Sequence, residues 1–131
     1  MKLLITSLFA IFIFGGLAAV SAKSKQVEVQ IGHEQKVANG GIRLKFVDLI
    51  EDSRCPTDTQ CIWAGNAKIK ISLSNAGRRA KLFEINTGIK PQTILFAGYE
   101  IKIVKLTPAP ASNIRIRKDG YVATFSINKK R

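Results

Sequence analysis

Two cysteines, Cys55 and Cys61, are the residues of this chain with the most obvious chemistry. Thiolates can attack electrophiles or bind metals, and a pair of thiols can oxidise to a disulfide. A zinc site needs more ligands than two cysteines and the single histidine, His33, supply. Because the N-terminal residues, discussed below, predict export, the pair is most simply a disulfide. It would close a small ring, Cys55 through Cys61. In the chain-entropy model of loop closure, such a bridge stabilises the folded state by about 2.4 kcal/mol.

The segment around the two cysteines is the candidate binding loop, because the bridge would fix its shape. Trp63 follows the bridge at once, and two roles are open to it. We expect an indole packed into the core against the disulfide; the alternative is an exposed anchor for a partner. Gly65 is expected to allow a bend or a close backbone approach before the next strand. The candidate binding residues are Arg54, Pro56, Thr57, Asp58, Gln60 and Trp63.

Carboxylates also cluster in this loop, at Glu51, Asp52 and Asp58. Paired carboxylates can transfer protons or hold Ca²⁺, but the spacing matches no EF-hand. We expect Asp52 to cap a turn or to pair with Arg54. His33 is expected in a solvated turn, and no Gly-x-Ser-x-Gly elbow accompanies it. The sequence therefore predicts no catalytic residue, no metal and no cofactor.

The chain is strongly basic, with 21 Lys and Arg against 9 Asp and Glu, a formal charge of +12. Four cations in alternating segments form the candidate basic patch: Lys68, Lys70, Arg115 and Arg117. Such residues either keep the outer faces of strands soluble or attract an anionic surface, such as lipopolysaccharide or lipid headgroups. Export makes nucleic acid an unexpected partner in the cell.

Residues 1–22 have the pattern of a cleaved secretory signal peptide. Lys2 supplies the positive charge, residues 3–20 are almost all apolar, and Val20-Ser21-Ala22 places small residues at the exit. The mature chain, residues 23–131, is long enough for one domain. No later segment is apolar for long enough to span a bilayer, so no membrane-spanning segment is expected after cleavage. The predicted location is the periplasm or the extracellular space.

Apolar and polar residues alternate with a period of two through most of the mature chain, as in half-buried strands. Residues 67–74 show the pattern most clearly. About seven short strands separated by turn signals favour a single antiparallel β-sandwich, or a small barrel. The inward positions expected outside residues 67–74 are Val27, Val29, Ile31, Ile42, Leu44, Phe46, Leu82, Phe83, Tyr99, Ile101, Ile103, Ile114, Ile116, Tyr121, Ala123, Phe125 and Ile127.

Several stretches of the chain resemble a family of small exported bacterial proteins that has no established activity. The first is Asp52-Ser53-Arg54-Cys55-Pro56 followed, after a short gap, by Cys61-Ile62-Trp63-Ala64-Gly65. Residues 99–108 and the closing segment from Tyr121 are also similar to that family. The resemblance implies a secreted all-β domain with a Cys55–Cys61 bridge, and it carries over no catalytic residue. Some members are lipoproteins, whereas this chain lacks a cysteine at the signal-peptide exit.

These features together predict an exported, non-catalytic binding module of the bacterial envelope. Its ligand could be an anionic envelope surface or another exported protein. The alternative is an inhibitor of an exported hydrolase that inserts the loop closed by residues 55–61. An enzyme that uses the acidic cluster is the third hypothesis.

Cleavage of the signal peptide gives the first testable prediction. Exported protein should begin at Lys23, because the small residues at Val20 and Ala22 fit the signal peptidase. Intact-mass analysis of the secreted chain measures this directly. A mature chain that still carries Met1 would contradict it.

Overall fold

The computed structural model describes residues 15–16, 24–39 and 41–130. The predicted signal peptide and its cleavage site lie outside the described residues, apart from Gly15 and Gly16. Within the described part there is no α-helix, and no helix is long and apolar enough to cross a membrane. A single 3₁₀ turn covers Lys118–Gly120. The eight strands are β1 Lys25–Gln30, β2 Glu34–Val37, β3 Ile42–Asp52, β4 Ala67–Asn75, β5 Lys81–Asn86, β6 Thr93–Phe96, β7 Tyr99–Thr107 and β8 Val122–Lys129.

The strands form two four-stranded antiparallel sheets that pack face to face. Sheet A has the order β1-β8-β7-β6 and sheet B has the order β2-β3-β4-β5. The predicted all-β sandwich is therefore confirmed. The structure has eight strands, and one of them, β2, was not predicted, because three of its four residues are polar and show no alternation.

Alternation along the central strands decides which face of each sheet is buried. In β4 the apolar residues are buried and the intervening lysines and serines are not. Pairing places apolar residues opposite one another, with Phe46 across from Ile71 in sheet B and Ile103 across from Phe125 in sheet A. Burial of these faces is the main favourable free energy of the fold. The fully buried large side chains are Val29, Val37, Ile42, Leu44, Phe46, Ile69, Ile71, Leu73, Ile85, Ile101 and Phe125.

The pairing of β3 with β4 is interrupted twice. Its register shifts between Phe46 and Asp48 and again between Leu49 and Glu51. The first shift lies at Val47-Asp48-Leu49, where the alternation in the sequence slips. Such a slip indicates either a bulge or the end of the strand, and the structure shows a bulge, since β3 continues beyond it. The extra residues let β3 continue to Asp52, at the start of the cysteine loop.

Two predicted inward residues are instead exposed. Leu82 is 63% exposed, because its register places it opposite Ser72 on the outer face of sheet B. Ile114 is 59% exposed, and residues 114–117 form no strand, contrary to the prediction. A hairpin of 114–117 with β8 would need a free edge on β8, but β1 and β7 occupy both of its edges.

The different placement of two leucines on neighbouring strands gives the second prediction. Leu73→Ala should lower the free energy of unfolding by about 2–5 kcal/mol, since Leu73 is fully buried and a cavity would remain. Leu82→Ala should change it by about 0.5 kcal/mol or less, because the side chain is largely in water. Urea denaturation of both variants measures the difference. Equal losses would contradict the register of β4 with β5.

Candidate functional site

The disulfide between Cys55 and Cys61 closes a small ring at one end of the sandwich, with 5.9 Å between the two Cα atoms. The predicted bridge is therefore present. Inside the ring, Thr59 donates its backbone N–H to the carbonyl of Pro56 over 3.1 Å, which forms a turn. Across the base of the ring, the backbone N–H of Cys55 donates to the carbonyl of Ala64 over 2.9 Å. We call residues 53–66, from the end of β3 to the start of β4, the bridge loop.

A buried polar network holds the base of the bridge loop. Asn66 is 6% exposed, and its side-chain amide donates to the Oδ1 atom of Asn86 over 3.0 Å. Its own Oδ1 atom accepts from the backbone of Gly88, and its backbone carbonyl accepts from the backbone N–H of Ser53 over 2.7 Å. Because each of these polar groups has a partner, the network fixes the loop without leaving an unpaired buried group.

Gly65 allows three backbone segments to meet beside this network. It has a φ of +76°, and a Cβ atom there would overlap the carbonyl of Ser53. A Cβ atom on Gly88 would in turn overlap the carbonyl of Gly65. The expected close backbone approach at Gly65 is therefore confirmed, and only glycine fits both the conformation and the space.

Arg54 links the two sheets rather than facing a partner. Its guanidinium donates to both carboxylate oxygens of Asp52 over 2.8 Å, so the pair is bidentate. It also donates to the carbonyl of Leu106 over 2.6 Å and to that of Pro108 over 3.0 Å. Asp52 ends a strand of sheet B, and Leu106 lies in β7 of sheet A. Most of the guanidinium N–H groups are thus engaged, and the side chain is mostly buried.

The Asp52–Arg54 pair changes the ionisation of its surroundings. Burial opposes the charged form of Asp52, but the hydrogen bonds and positive charge of Arg54 outweigh it and hold the pKa of Asp52 below its ordinary value. Tyr121 lies nearby and is buried. Burial and the Asp52 carboxylate raise the pKa of that phenol. Asp52 therefore forms a structural ion pair with Arg54, one of the two roles expected from the sequence.

A second set of contacts fastens the outer part of the bridge loop to residues 108–112, which we call the proline loop. Thr57 donates its backbone N–H to the carbonyl of Pro110 over 2.9 Å. Asp58 accepts from the backbone N–H of Ser112 over 3.0 Å and also from its hydroxyl. These two hydrogen bonds lower the pKa of Asp58. Thr57 and Asp58 thus hold the loop in place through groups that a ligand would otherwise use.

Besides its polar residues 57–60, the loop exposes two large apolar side chains to solvent. Trp63 is 71% exposed and Ile62 is completely exposed, so the expectation that Trp63 packs into the core is wrong. The buried apolar positions at this end are taken by Ala67 and Tyr121 rather than by the indole. Gln60 is exposed beside them, whereas Pro56 is half-buried. We call residues 60–63 the loop tip.

The four residues of the candidate basic patch do not form one cationic surface. Lys70 lies on the outer face of sheet B between Asp48 on β3 and Glu84 on β5. Lys68 lies opposite Glu51, and such cross-strand neighbours of opposite charge attract. Arg115 and Arg117 belong to the irregular segment before β8, which has no strand to align them. Arg117 forms an exposed ion pair with Asp119 at 3.1 Å.

The remaining candidates for acid–base or metal chemistry are dispersed. Glu51 faces Lys68 across the sheet, while Asp52 and Asp58 are held by Arg54 and Ser112. His33 is exposed at the turn between β1 and β2, as expected. Among the described residues, no group of three or more His, Cys, Asp or Glu side chains lies close enough to hold a metal ion.

The sequence pattern did not reveal two features of the site. Ile62 was not among the candidates, because an apolar residue beside a cysteine and a tryptophan suggests core. Ser112 and the proline loop lie far along the chain from the bridge loop, and only tertiary structure brings them together.

Comparison with known proteins finds no matching family model, no matching curated protein and no matching solved structure.

The Asp52–Arg54 pair gives the third prediction. Because the folded-state pKa of Asp52 is depressed, its stabilisation is present above the ordinary carboxyl value of about 3.9 and is lost as the pH falls through the folded-state value. Asp52→Asn should lower the free energy of unfolding by about 1–3 kcal/mol at pH 7, and the loss should shrink in acid. Urea denaturation between neutral and acid pH measures this.

Asp119→Asn is the matched control for that experiment. It breaks the pair with Arg117, whose two side chains are both largely exposed. Exposed ion pairs contribute little to stability, so this variant should leave the free energy of unfolding nearly unchanged at any pH. A loss in Asp52→Asn that does not depend on pH would show that the carboxylate charge is not what stabilises the loop.

Proposed function

We propose that this protein is an exported, non-catalytic binding module of the bacterial envelope that grips an exported protein partner with its loop tip. The observation that carries the proposal is the exposure of Ile62 and Trp63 on a loop that is fastened at its base, its ring and its outer side. A disulfide and the predicted signal peptide are both compatible with an oxidising compartment.

The energetics of the loop tip favour binding over a purely structural role. A tryptophan side chain buries about 150–250 Å² when covered, which at about 25 cal/mol per Å² is roughly 4–6 kcal/mol. Neither Trp63 nor Ile62 stabilises the folded chain through burial, since both side chains remain largely in water. Tryptophan is one of the residue types that are enriched in interface hot spots.

Preorganisation lowers the cost of such binding. A flexible loop loses conformational freedom when it docks, at about 0.5–1.5 kcal/mol for each immobilised side chain, in addition to the backbone. Here the disulfide, the Asn66 network and the Asp58–Ser112 hydrogen bonds remove backbone freedom before any partner arrives. The ordering cost is therefore met during folding, and more of the buried area can contribute to affinity.

Inhibition of an exported hydrolase is a special case of the same proposal. A rigid, disulfide-closed loop with an exposed polar residue, Gln60, next to two apolar ones could occupy an active-site cleft. The partner would then be an enzyme, and the loop would compete with its substrate. The same loop-tip residues would bind the partner in either case. An activity assay therefore distinguishes an inhibited hydrolase from another kind of protein partner.

The overall charge of the chain supports a weaker and less specific attraction to anionic surfaces. Without Lys2 of the predicted signal peptide, the chain keeps 20 basic and 9 acidic residues, a charge of +11, and this charge accelerates approach to such a surface at low salt. The acidic neighbours of Lys68 and Lys70 argue against those residues as a specific contact. We therefore assign recognition to the loop tip and only long-range attraction to the charge.

The carboxylates of the loop support the non-catalytic part of the proposal. A general acid or base needs a carboxyl group within reach of substrate. Asp52 is bound to Arg54 through both oxygens, and Asp58 is bound to Ser112 through both of its own. Both carboxylates thus have structural partners within the chain, although Asp58 is exposed.

The fourth prediction tests the loop tip. Immobilised protein should retain a partner from the envelope fraction of the source cells at both low and high salt, because the contact is apolar. The double variant Ile62→Ser, Trp63→Ala should weaken binding by about tenfold or more, as hot-spot residues do. Titration of the isolated partner measures the affinity, and an activity assay shows whether it is an inhibited hydrolase.

Val104→Ser is the control for that titration. Val104 is 49% exposed and lies on β7, so the variant removes exposed apolar surface elsewhere on the molecule. Its affinity should stay within about twofold of the parent. Equal retention by the loop-tip variant, or binding that disappears with salt alone, would refute the proposal.

A further inference from the structure

A second site lies on another side of the sandwich, where the edge strands β5 and β6 face each other. They are the last strands of sheet B and sheet A respectively, and neither has a further strand beyond it in the described chain. The rings of Phe83 on β5 and Phe96 on β6 meet edge to face, with centroids 6.0 Å apart and planes at 76°. Beside this pair the two sheets leave a groove of about 470 Å³, which we call the edge groove.

The edge groove has an apolar floor. Phe83 and Phe96 are half-buried in it, and Leu95, which is 59% exposed, continues the apolar surface toward solvent. Its volume falls in the range of about 300–1,000 Å³ that is typical of small-molecule sites. The edge-to-face contact fixes both rings, so the floor is formed before a ligand arrives.

The mouth of the groove is cationic. Arg78, Arg79 and Lys81 line it and are all exposed. Among the described residues none of the three forms an ion pair. Among the described residues no carboxylate is in the groove lining. Glu84 lies opposite Lys70 in sheet B, and the nearest acid by register is Glu100, which lies across from Leu95 on the same face of sheet A. Like charges this close in the chain repel one another, and an anion at the mouth would relieve that repulsion.

We propose that the edge groove binds a single-chain amphiphile whose headgroup is a phosphate monoester. The guanidinium groups of Arg78 and Arg79 match phosphate oxygens in geometry and charge, and Lys81 adds a third positive charge. The hydrocarbon chain lies on Phe83, Phe96 and Leu95 and covers apolar surface that the fold leaves in water.

This composition selects against simpler ligands. Inorganic phosphate would satisfy the cations but leave the floor uncovered, and a neutral amphiphile would cover the floor but leave the cations unpaired. A flat bilayer would meet the exposed cations without filling the recess between the sheets. The site is separate from the loop tip, so either proposal can fail without the other.

Monomeric dodecyl phosphate, below its micellar concentration, is the probe for the test. Calorimetric titration of the mature protein should show saturable binding of one molecule. Inorganic phosphate and dodecyl maltoside should each bind at least about tenfold more weakly, because each provides only half of the interactions. Either control ligand binding as tightly as dodecyl phosphate would overturn the proposal.

Charge-matched variants separate the groove from general electrostatics. Arg78→Gln, Arg79→Gln removes two charges at the mouth, whereas Arg115→Gln, Arg117→Gln removes two charges from the irregular segment. The first should weaken binding by about tenfold or more, and the second should change it by about twofold or less. Leu95→Ser, at an exposed position, should weaken binding of dodecyl phosphate but not retention on phosphatidic acid vesicles.

Equal weakening by the two arginine variants would show that net charge alone attracts the ligand, and the proposal would be wrong. The same conclusion would follow if Leu95→Ser left binding of dodecyl phosphate unchanged. Vesicle retention that falls equally in both arginine variants would show that the vesicles adsorb through net charge. In that case, weaker dodecyl phosphate binding in the Arg78→Gln, Arg79→Gln variant alone would support the groove, and equal weakening in both variants would overturn it.

Discussion

The guanidinium of Arg54 connects the two halves of the sandwich, and the arrangement of the loop end follows from it. It binds the carboxylate of Asp52 at the end of a strand in sheet B and the carbonyls of Leu106 and Pro108 at the end of a strand in sheet A. Planar geometry and five donors let one side chain do this, which a lysine could not match. A cation this enclosed needs its carboxylate partner, since an unpaired charge there would be costly.

The position of the proline loop depends on that connection, and the loop tip depends on the proline loop. Arg54 fixes Pro108, and further along the chain Pro110 accepts a hydrogen bond from Thr57 while Ser112 donates to Asp58. The disulfide closes only a small ring, so its entropic contribution is modest. Its main effect is local, because it fixes the ring that the exposed residues Ile62 and Trp63 directly follow in the chain.

Local sequence predicted most of this fold, because alternation is a direct physical signal of a two-faced sheet. Residues 67–73 show this alternation without interruption, and every predicted inward residue there is buried.

The prediction is wrong where the burial of a side chain depends on residues that are distant in the sequence. Leu82 and Phe83 are adjacent and equally apolar, and only their register with β4 decides which is turned toward the core. Ile114 and Ile116 alternate like a strand, but β8 has no free edge to receive them. Arg54, a candidate binding residue, is enclosed by the carbonyls of Leu106 and Pro108, which lie far along the chain, whereas Trp63 is exposed rather than in the core.

Charge shows the same dependence on tertiary structure. Cations that look alike in the sequence have different surroundings in the folded chain. On the outer face of sheet B, Lys68 and Lys70 lie across from carboxylates, which offset the charge of these two lysines. Arg78, Arg79 and Lys81 lie at the edge of the sandwich without acidic partners among the described residues. Cations at a sheet edge discourage edge-to-edge aggregation, which alone would justify them. That role does not require two phenylalanine rings and a leucine beneath them, because exposed apolar surface at an edge promotes the association that the charge opposes. The combination is therefore better explained by a ligand that needs both.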